Sequence, residues 1–440
     1  MRYISIIILL VLSLTLLLLT GCVTNTITPE IASGNLENQE DINQSSNNFQ
    51  SSSISPIYEP VTEEPVIEED TEEEVIEDPG TVYPQKWATG DGTVGDPWAN
   101  DCIKKALDFA TTDGTIYLRA GYYQLAGALT ITKPINIIGE GMNKTIIKTA
   151  GGTVDGFHSD GADYISIKNL TIDGDAQEDN TEWQAVIGFD EDCNYVLCEN
   201  LEVMNGGYYG IDYYEGNHSL FKNIYAHDNY RHGLHAGSDT TEKNMYNTYR
   251  DIYAWDNGGQ GLDDRGSIEP IEQLNNVYGN IQCWDNGGKG IAIGLQKAAV
   301  LSNSSSSGNV HGIYLYDMED FDVHDCFFTL NENNGLRVAR AENINFTNVI
   351  VKNNNVLDTI TAGKDSGIFI HECSNIVLTS CQSYDDRDIP LQNYGVYLSS
   401  EINTGISLLN CKLTPNENGD IYNPNSVVIT VITEKMLAKF

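Results

Sequence analysis

Apolar and polar positions divide the chain into three stretches. Ile4 to Leu19 is an almost unbroken apolar run behind Arg2, closed by Leu19-Thr20-Gly21-Cys22. From Val23 to about residue 81, apolar residues follow no period, and the stretch is too polar to bury a core. Beyond it, Ala99, Cys102, Ile103, Ala106, Leu107 and Ala110 recur at helical spacing. One short amphipathic helix is predicted there, with Asp96 as its cap, Pro97 at its first position and an end near Gly114. Then the period changes to two: Thr115-Ile116-Tyr117-Leu118 and Ile135-Asn136-Ile137-Ile138 read as strands between glycines.

A repeated element follows, Gly then apolar-x-apolar, at Gly210, Gly233, Gly261, Gly290, Gly312, Gly335, Gly367 and Gly395, spaced by 22 to 32 residues. Strand-only units of that length predict a parallel β-helix, whose coils bury their apolar faces only by stacking. Asp228-Asn229, Asp256-Asn257 and Asp285-Asn286 precede three of these glycines, and Asn331 and Asn353 recur in similar turns. Asn side chains hydrogen-bonding from coil to coil explain that choice.

With Gly90-Asp91-Gly92, Arg119-Ala120-Gly121-Tyr122-Tyr123 and Ile137-Ile138-Gly139-Glu140-Gly141 added in order, residues 82 to 425 resemble the pectate-lyase-like right-handed β-helix superfamily. The resemblance implies an all-β, right-handed solenoid with a short N-terminal capping helix. The expected organisation is a signal segment over 1–22, an acidic disordered tether over 23–81 and the β-helix over 82–440.

Charge narrows the function. The chain carries 63 acidic against 24 basic residues, a formal charge of −39. Nucleic acid is excluded as a general partner, since phosphate binding needs basic surface. Fifteen Asp and Glu and no Lys or Arg lie between Val23 and Gly80, so the tether should self-repel and extend. The opening run looks like a lipoprotein signal peptide, which implies lipidation at Cys22, export, and attachment to the outer face of a membrane. Of the remaining cysteines, Cys326, Cys381 and Cys411 share a repeat position with Ile224, Ile252 and Val349, so core thiols are expected rather than disulfides.

In each coil the first and third residues after Gly should face the core, and the second and fourth solvent. The second position reads Asp212, His235, Asp263, Ala292, Tyr314, Arg337, Phe369, Tyr397; the fourth reads Tyr214, Gly237, Arg265, Gly294, Tyr316. Unlike titratable groups clustered on one face are better explained by a site than by surface decoration. Tyr209, His232, His235 and Asp263 are the catalytic candidates. Asp212, Tyr214, Arg231, Arg265, Tyr314 and Arg337 are the candidates for holding substrate. Asp212 and Asp263, with Asp264, could hold Ca²⁺, although the parity of Asp264 points inward.

Tyr209-Gly210-Ile211-Asp212 with Arg231-His232-Gly233 resembles the mannuronan C-5 epimerase pattern, with Tyr214 where that pattern has His and with Arg-His-Gly one coil nearer. By that resemblance Tyr209 and His232 handle a proton, Asp212 positions substrate, and the partner is an acidic polysaccharide. Neutralising a uronate carboxylate acidifies its C-5 proton, after which either lyase or epimerase chemistry completes the reaction. Gly261-Leu262-Asp263-Asp264 and His232 to Ser238 are similar to polygalacturonase motifs in reversed order, which keeps a glycoside hydrolase as the second reading. A tethered polysaccharide-binding or structural protein is the third.

Overall fold

The computed structural model describes residues 80–99, 101–151, 156–175, 184–238, 244–266, 273–357, 366–399 and 402–433. Cys22, the apolar opening run and nearly all of the acidic tether lie outside the described residues. Among the described residues, strands form one parallel sheet of 12 strands and a second of 22. In the 12-stranded sheet each strand pairs with its counterpart in the preceding and following coil, which is the pattern of a solenoid. Nine of its strands build the site: β1 (Ala185–Asp190), β2 (Tyr209–Tyr214), β3 (His232–Ser238), β4 (Leu262–Gly266), β5 (Lys289–Gly294), β6 (His311–Tyr316), β7 (Leu336–Ala339), β8 (Ser366–His371) and β9 (Tyr394–Leu398).

The larger sheet wraps the other sides because its strands bend in mid-course. Asn200, Asn223, Asp251 and Asn280 hold positive φ inside their strands, a conformation that short Asx side chains tolerate. Their amides also tie coil to coil: Asn223 Nδ2 donates to Asn200 Oδ1 and Asn280 Nδ2 to Asp251 Oδ1, both at 2.8 Å.

A second ladder is fully buried. Asn229, Asn257, Asn286, Asn309, Asn331 and Asn354 stack in successive coils, each Nδ2 donating to the next Oδ1 at 2.8 to 3.5 Å. The expected member Asn353 is not in it. It takes the αL position before the ladder residue, as Asp228, Asp256 and Asp285 do, and its side chain bonds exposed Asp386 instead. This ladder explains the recurring glycine. A Cβ on Gly210 would stand 2.8 Å from Asn229 Nδ2, and one on Gly233 would stand 2.9 Å from Asn257 Nδ2 and 2.7 Å from Gly261 O.

The capping helix α1 runs from Cys102 to Phe109 and buries Cys102, Ile103, Ala106 and Leu107. Its N-cap is Asp101, at φ 52°, with no side-chain cap bond, and not Asp96. Asp96 instead closes the preceding loop, its carbonyl accepting the N–H groups of Asp91 and Gly92 at 3.0 Å. Trp98 is extended, donates its N–H to Tyr122 O at 2.8 Å and packs its ring on Tyr123. The Pro97-Trp98 pair is therefore a strand-like lead-in, and the helix starts later and ends earlier than its apolar spacing predicts. All eight described cysteines are free thiols, seven of them buried.

Candidate functional site

Backbone register brings the outward columns together. Tyr209 pairs with His232, Asp212 with His235 and His235 with Asp263; the same column continues through Ala292, Tyr314, Arg337, Phe369 and Tyr397. Tyr214, Gly237, Arg265, Gly294 and Tyr316 form the column beside it. Tyr209 and His232 form a third column on the same side although they stand three residues, not two, before Asp212 and His235; the Tyr209 ring lies against His232 at 5.2 Å and His235 at 4.6 Å.

β3 carries two imidazoles with opposite properties. His235 Nδ1 lies 2.8 Å from Asp212 Oδ1. A carboxylate there accepts the Nδ1 proton and leaves Nε2 as the open nitrogen. Burial would lower the pKa of His235, but Asp212, with Asp263 further off, raises it above the ordinary histidine range. Its ring stacks on Tyr209 at 4.6 Å between centroids. Burial, with Asp212 and Asp263 nearby, pushes the Tyr209 phenol up, so it stays protonated at neutral pH.

His232 is buried, and burial holds it well below the ordinary range, hence neutral. Its Nδ1 accepts the backbone N–H of Gln260 at 2.9 Å, which puts its one proton on Nε2, 3.3 Å from Asp263 Oδ2. That approach needs the glycine before Gln260, since a Cβ on Gly259 would stand 2.5 Å from His232 Nδ1. In this tautomer His232 has no lone pair facing the site. Its Nε2 is buried beside Asp263 without a hydrogen bond, and the nitrogen left open toward the face is that of His235.

Asp263 is fully buried, although it lies on the outward face. Burial pushes its carboxyl up, but Arg265, then His232 and His235, outweigh that and hold it down to about 2. Arg265 forms an ion pair with Asp263 and is also bonded to Tyr316. The Tyr316 ring folds across β5, where a Cβ on Gly294 would stand 2.3 Å from its Cζ. Tyr316 is thus a site residue, which the column reading placed among the outward residues but not among the catalytic or substrate-holding candidates. Gly294, in the fourth column between Arg265 and Tyr316, was the available signal.

Asp264 turns the other way. It lies inside the solenoid, bonded to the side chains of Tyr278, Asn244 and Gln296. Burial raises it to about 6, with Asp263 adding to the shift and Tyr278 and Asn244 opposing it. The three-carboxylate cation site is corrected by this parity. Asp212 is held by His235, Asp263 by Arg265, and Asp264 faces the core; among the described residues no group of three or more His, Cys, Asp or Glu could hold a metal ion. The donors present do not fit Ca²⁺.

Cations and aromatics extend the face. Arg231 bonds Tyr208 OH and lies over that ring, a partner that sequence reading missed. Lys289, also missed, stands 5.7 Å from the Tyr314 ring. Arg337 lies between the rings of Tyr314 and Phe369, at 5.1 and 4.9 Å. Tyr214 is half-buried beside the cluster, whereas Tyr314 and Arg337 sit two and three coils beyond Asp263.

Residues 155–348 match the family model described as right handed beta helix region, and residues 88–166 match the one described as rhamnogalacturonase A/epimerase, pectate lyase-like. Over 222 residues the chain is 28% identical to mannuronan C5-epimerase AlgE2 of Azotobacter vinelandii, covering 40% of this chain and 21% of that protein. It is 29% identical to AlgE4 of the same organism over 164 residues, 31% of this chain and 29% of that one. The chain thus spans less than a third of the length of the curated relatives it matches. Among solved structures, the A-module of the Azotobacter vinelandii AlgE4 epimerase superposes with TM-score 0.63 at 18% identity, over 79% of this chain and 99% of that one. The Agl-KA catalytic domain superposes with TM-score 0.58 at 15% identity, over 81% and 69%. The fold is the right-handed, pectate lyase-like β-helix. Within it, this chain bears a distant resemblance to the mannuronan C5-epimerase A-modules.

Proposed function

We propose that the outward face of β2 to β4 removes the C-5 proton of a uronate residue in an acidic polysaccharide. The observation that carries this reading is the oriented pair Asp212–His235, stacked on Tyr209, with Arg231, Arg265 and Lys289 on the same face of an otherwise acidic chain. Arg231 and Lys289 neutralise the substrate carboxylate, which acidifies C-5; His235 Nε2 takes the proton; the neutral Tyr209 phenol supplies one. Delivery to C-5 from the opposite side gives the epimer, and delivery to the departing O-4 gives an unsaturated sugar. The AlgE relatives, named as mannuronan epimerases, support alginate-like substrates.

The Asp263-Asp264 pair gives the hydrolase reading no support, because the two carboxylates project to opposite faces and cannot flank one glycosidic bond. The expected export and lipid anchoring at Cys22 would put this face outside the cell, where such polymers are found. The deciding experiment incubates the protein with polymannuronate, polyguluronate and polygalacturonate in D₂O. A new epimer carrying deuterium at C-5, or an unsaturated end that has lost its C-5 hydrogen, is the expected result. Tight binding without exchange or cleavage would reduce the protein to a glycan-binding module.

A further inference from the structure

One corner of the solenoid, away from the catalytic columns, carries an exposed aromatic ladder. Tyr164, Tyr195, His218 and Tyr246 occupy the same turn in four successive coils, and each donates its N–H to the carbonyl just before the next corner at 2.9 to 3.0 Å. Their rings stack nearly parallel, with centroids 4.8, 5.2 and 5.0 Å apart. The three tyrosines remain 58%, 44% and 45% exposed.

All four residues hold left-handed backbone, at φ 57°, 57°, 59° and 58°. Bulky side chains rarely adopt that conformation, and its cost is comparable to what a ring-on-ring contact returns. Stability therefore does not select these rings. The next coils fill the corner with small residues, all but Ala298 of the types that tolerate this backbone: Asn275, then Ala298, Asp320, Asn343, Asn375 and Gly405. Outliers kept on an exposed surface point to function.

We propose that this corner is a second binding ridge, for a neutral polysaccharide lying extended along the solenoid axis. Because the rings cover one another's faces, they present their edges and phenol groups outward. An aromatic edge carries partial positive charge, which suits the oxygen-rich rim of a sugar; the rings recur once per coil, close to the repeat of an extended glycan, and three of the four, all but His218, carry a hydroxyl. The neutral class follows from the surroundings. Asp163 precedes Tyr164, and exposed Glu191 and Asp192 stand just before Tyr195, so a polyuronate is repelled here while it is attracted to the face carrying Arg231, Arg265 and Lys289. The ridge lies on the flank of the catalytic sheet, His218 being four residues past the end of β2. A chain held there keeps the protein on a mixed matrix while the catalytic face works on the charged polymer. The inference does not depend on the uronate reading.

Affinity electrophoresis of the full chain through gels containing hydroxyethylcellulose, galactomannan or alginate tests it. The triple variant Tyr164→Asn, Tyr195→Asn, Tyr246→Asn installs the residue that later coils use. The expected result is retardation of the unmodified protein by a neutral polymer, weakened at least five-fold in the variant, with an equal or higher melting temperature and unchanged uronate turnover. A triple Tyr→Phe variant keeps the stack without its hydroxyls and should lose most of the retardation too. Equal retardation of either variant and the unmodified protein overturns the proposal. So does an unmodified protein that no neutral polymer slows, or a drop of several degrees in melting temperature in the Asn variant, which would make the stack a support of the fold. Failure of uronate turnover with ridge-dependent retardation intact counts against the catalytic reading alone.

Discussion

His232 and His235 share one strand and one face, with ring centroids 5.8 Å apart, yet they differ in protonation because each meets a different partner. His235 is raised by its bond to Asp212 and works as a base only when neutral, so turnover should rise with pH through a pKa above the ordinary histidine value. Asp212→Asn removes the raising charge; the acidic limb of kcat/KM should then move to lower pH as the maximum falls. His235→Gln should lower kcat/KM by ~10²–10⁴ while the fold is retained, as measured by C-5 deuterium exchange and by circular dichroism. Asp263→Ala is a different case. It leaves Arg265 and His232 facing a buried gap, so stability should fall by about 3 kcal/mol or more, contrary to what an exposed position would show. Asp264 gives a further test. Its folded pKa is raised to about 6 from 3.8, so the folded state retains a proton that the unfolded state has lost. Its contribution is therefore greatest in acid and fades as pH rises, by about 2–3 kcal/mol between roughly pH 4 and 6. Denaturant melts of Asp264→Asn should lack that slope.

At the level of elements, the buried Asn ladder and the recurring glycine are one device. The glycine lets each strand of the 12-stranded sheet lie against an Asn of the ladder, and this closeness sets the register that aligns Asp212, His235 and Asp263. Asn257→Ala leaves Asn229 without its acceptor and Ala226 O and Asn286 without their donor, and should cost about 2–4 kcal/mol in chemical denaturation. Gly233→Ala should cost about 1–3 kcal/mol by overpacking. The ladder was legible from Asp-Asn pairs, but its membership was not. Asn309 follows Gly308 and Asn331 follows Leu330, so the residue before the ladder Asn varies, and only backbone geometry separates Asn353 from Asn354. The helix start was misread for a related reason: Asp96-Pro97 is a good cap in isolation, but the Trp98 backbone is already committed to a bond with Tyr122.

For the molecule as a whole, α1 closes the first coils with Cys102, Ile103, Ala106 and Leu107. Deleting it should expose core and strand edge and lower solubility together with the melting temperature. The amino acid pattern by itself determined the solenoid, because period two, a glycine per coil and turn asparagines are local features that each coil repeats. It also determined which positions after each glycine face outward, since strand parity follows from the chain there, but not Tyr209 and His232, which reach the same side against that parity. Only the tertiary structure decided what those outward groups do. Whether an outward side chain is exposed depends on neighbours one coil away: Tyr316 folds across Gly294 toward Arg265, and Asp263 ends fully buried on an outer face. The tautomer of His232 depends on the Gln260 N–H, 28 residues on, and the raised His235 on Asp212, 23 residues back. Protonation and accessibility are properties of contacts between coils, and those contacts exist only once the coils are stacked.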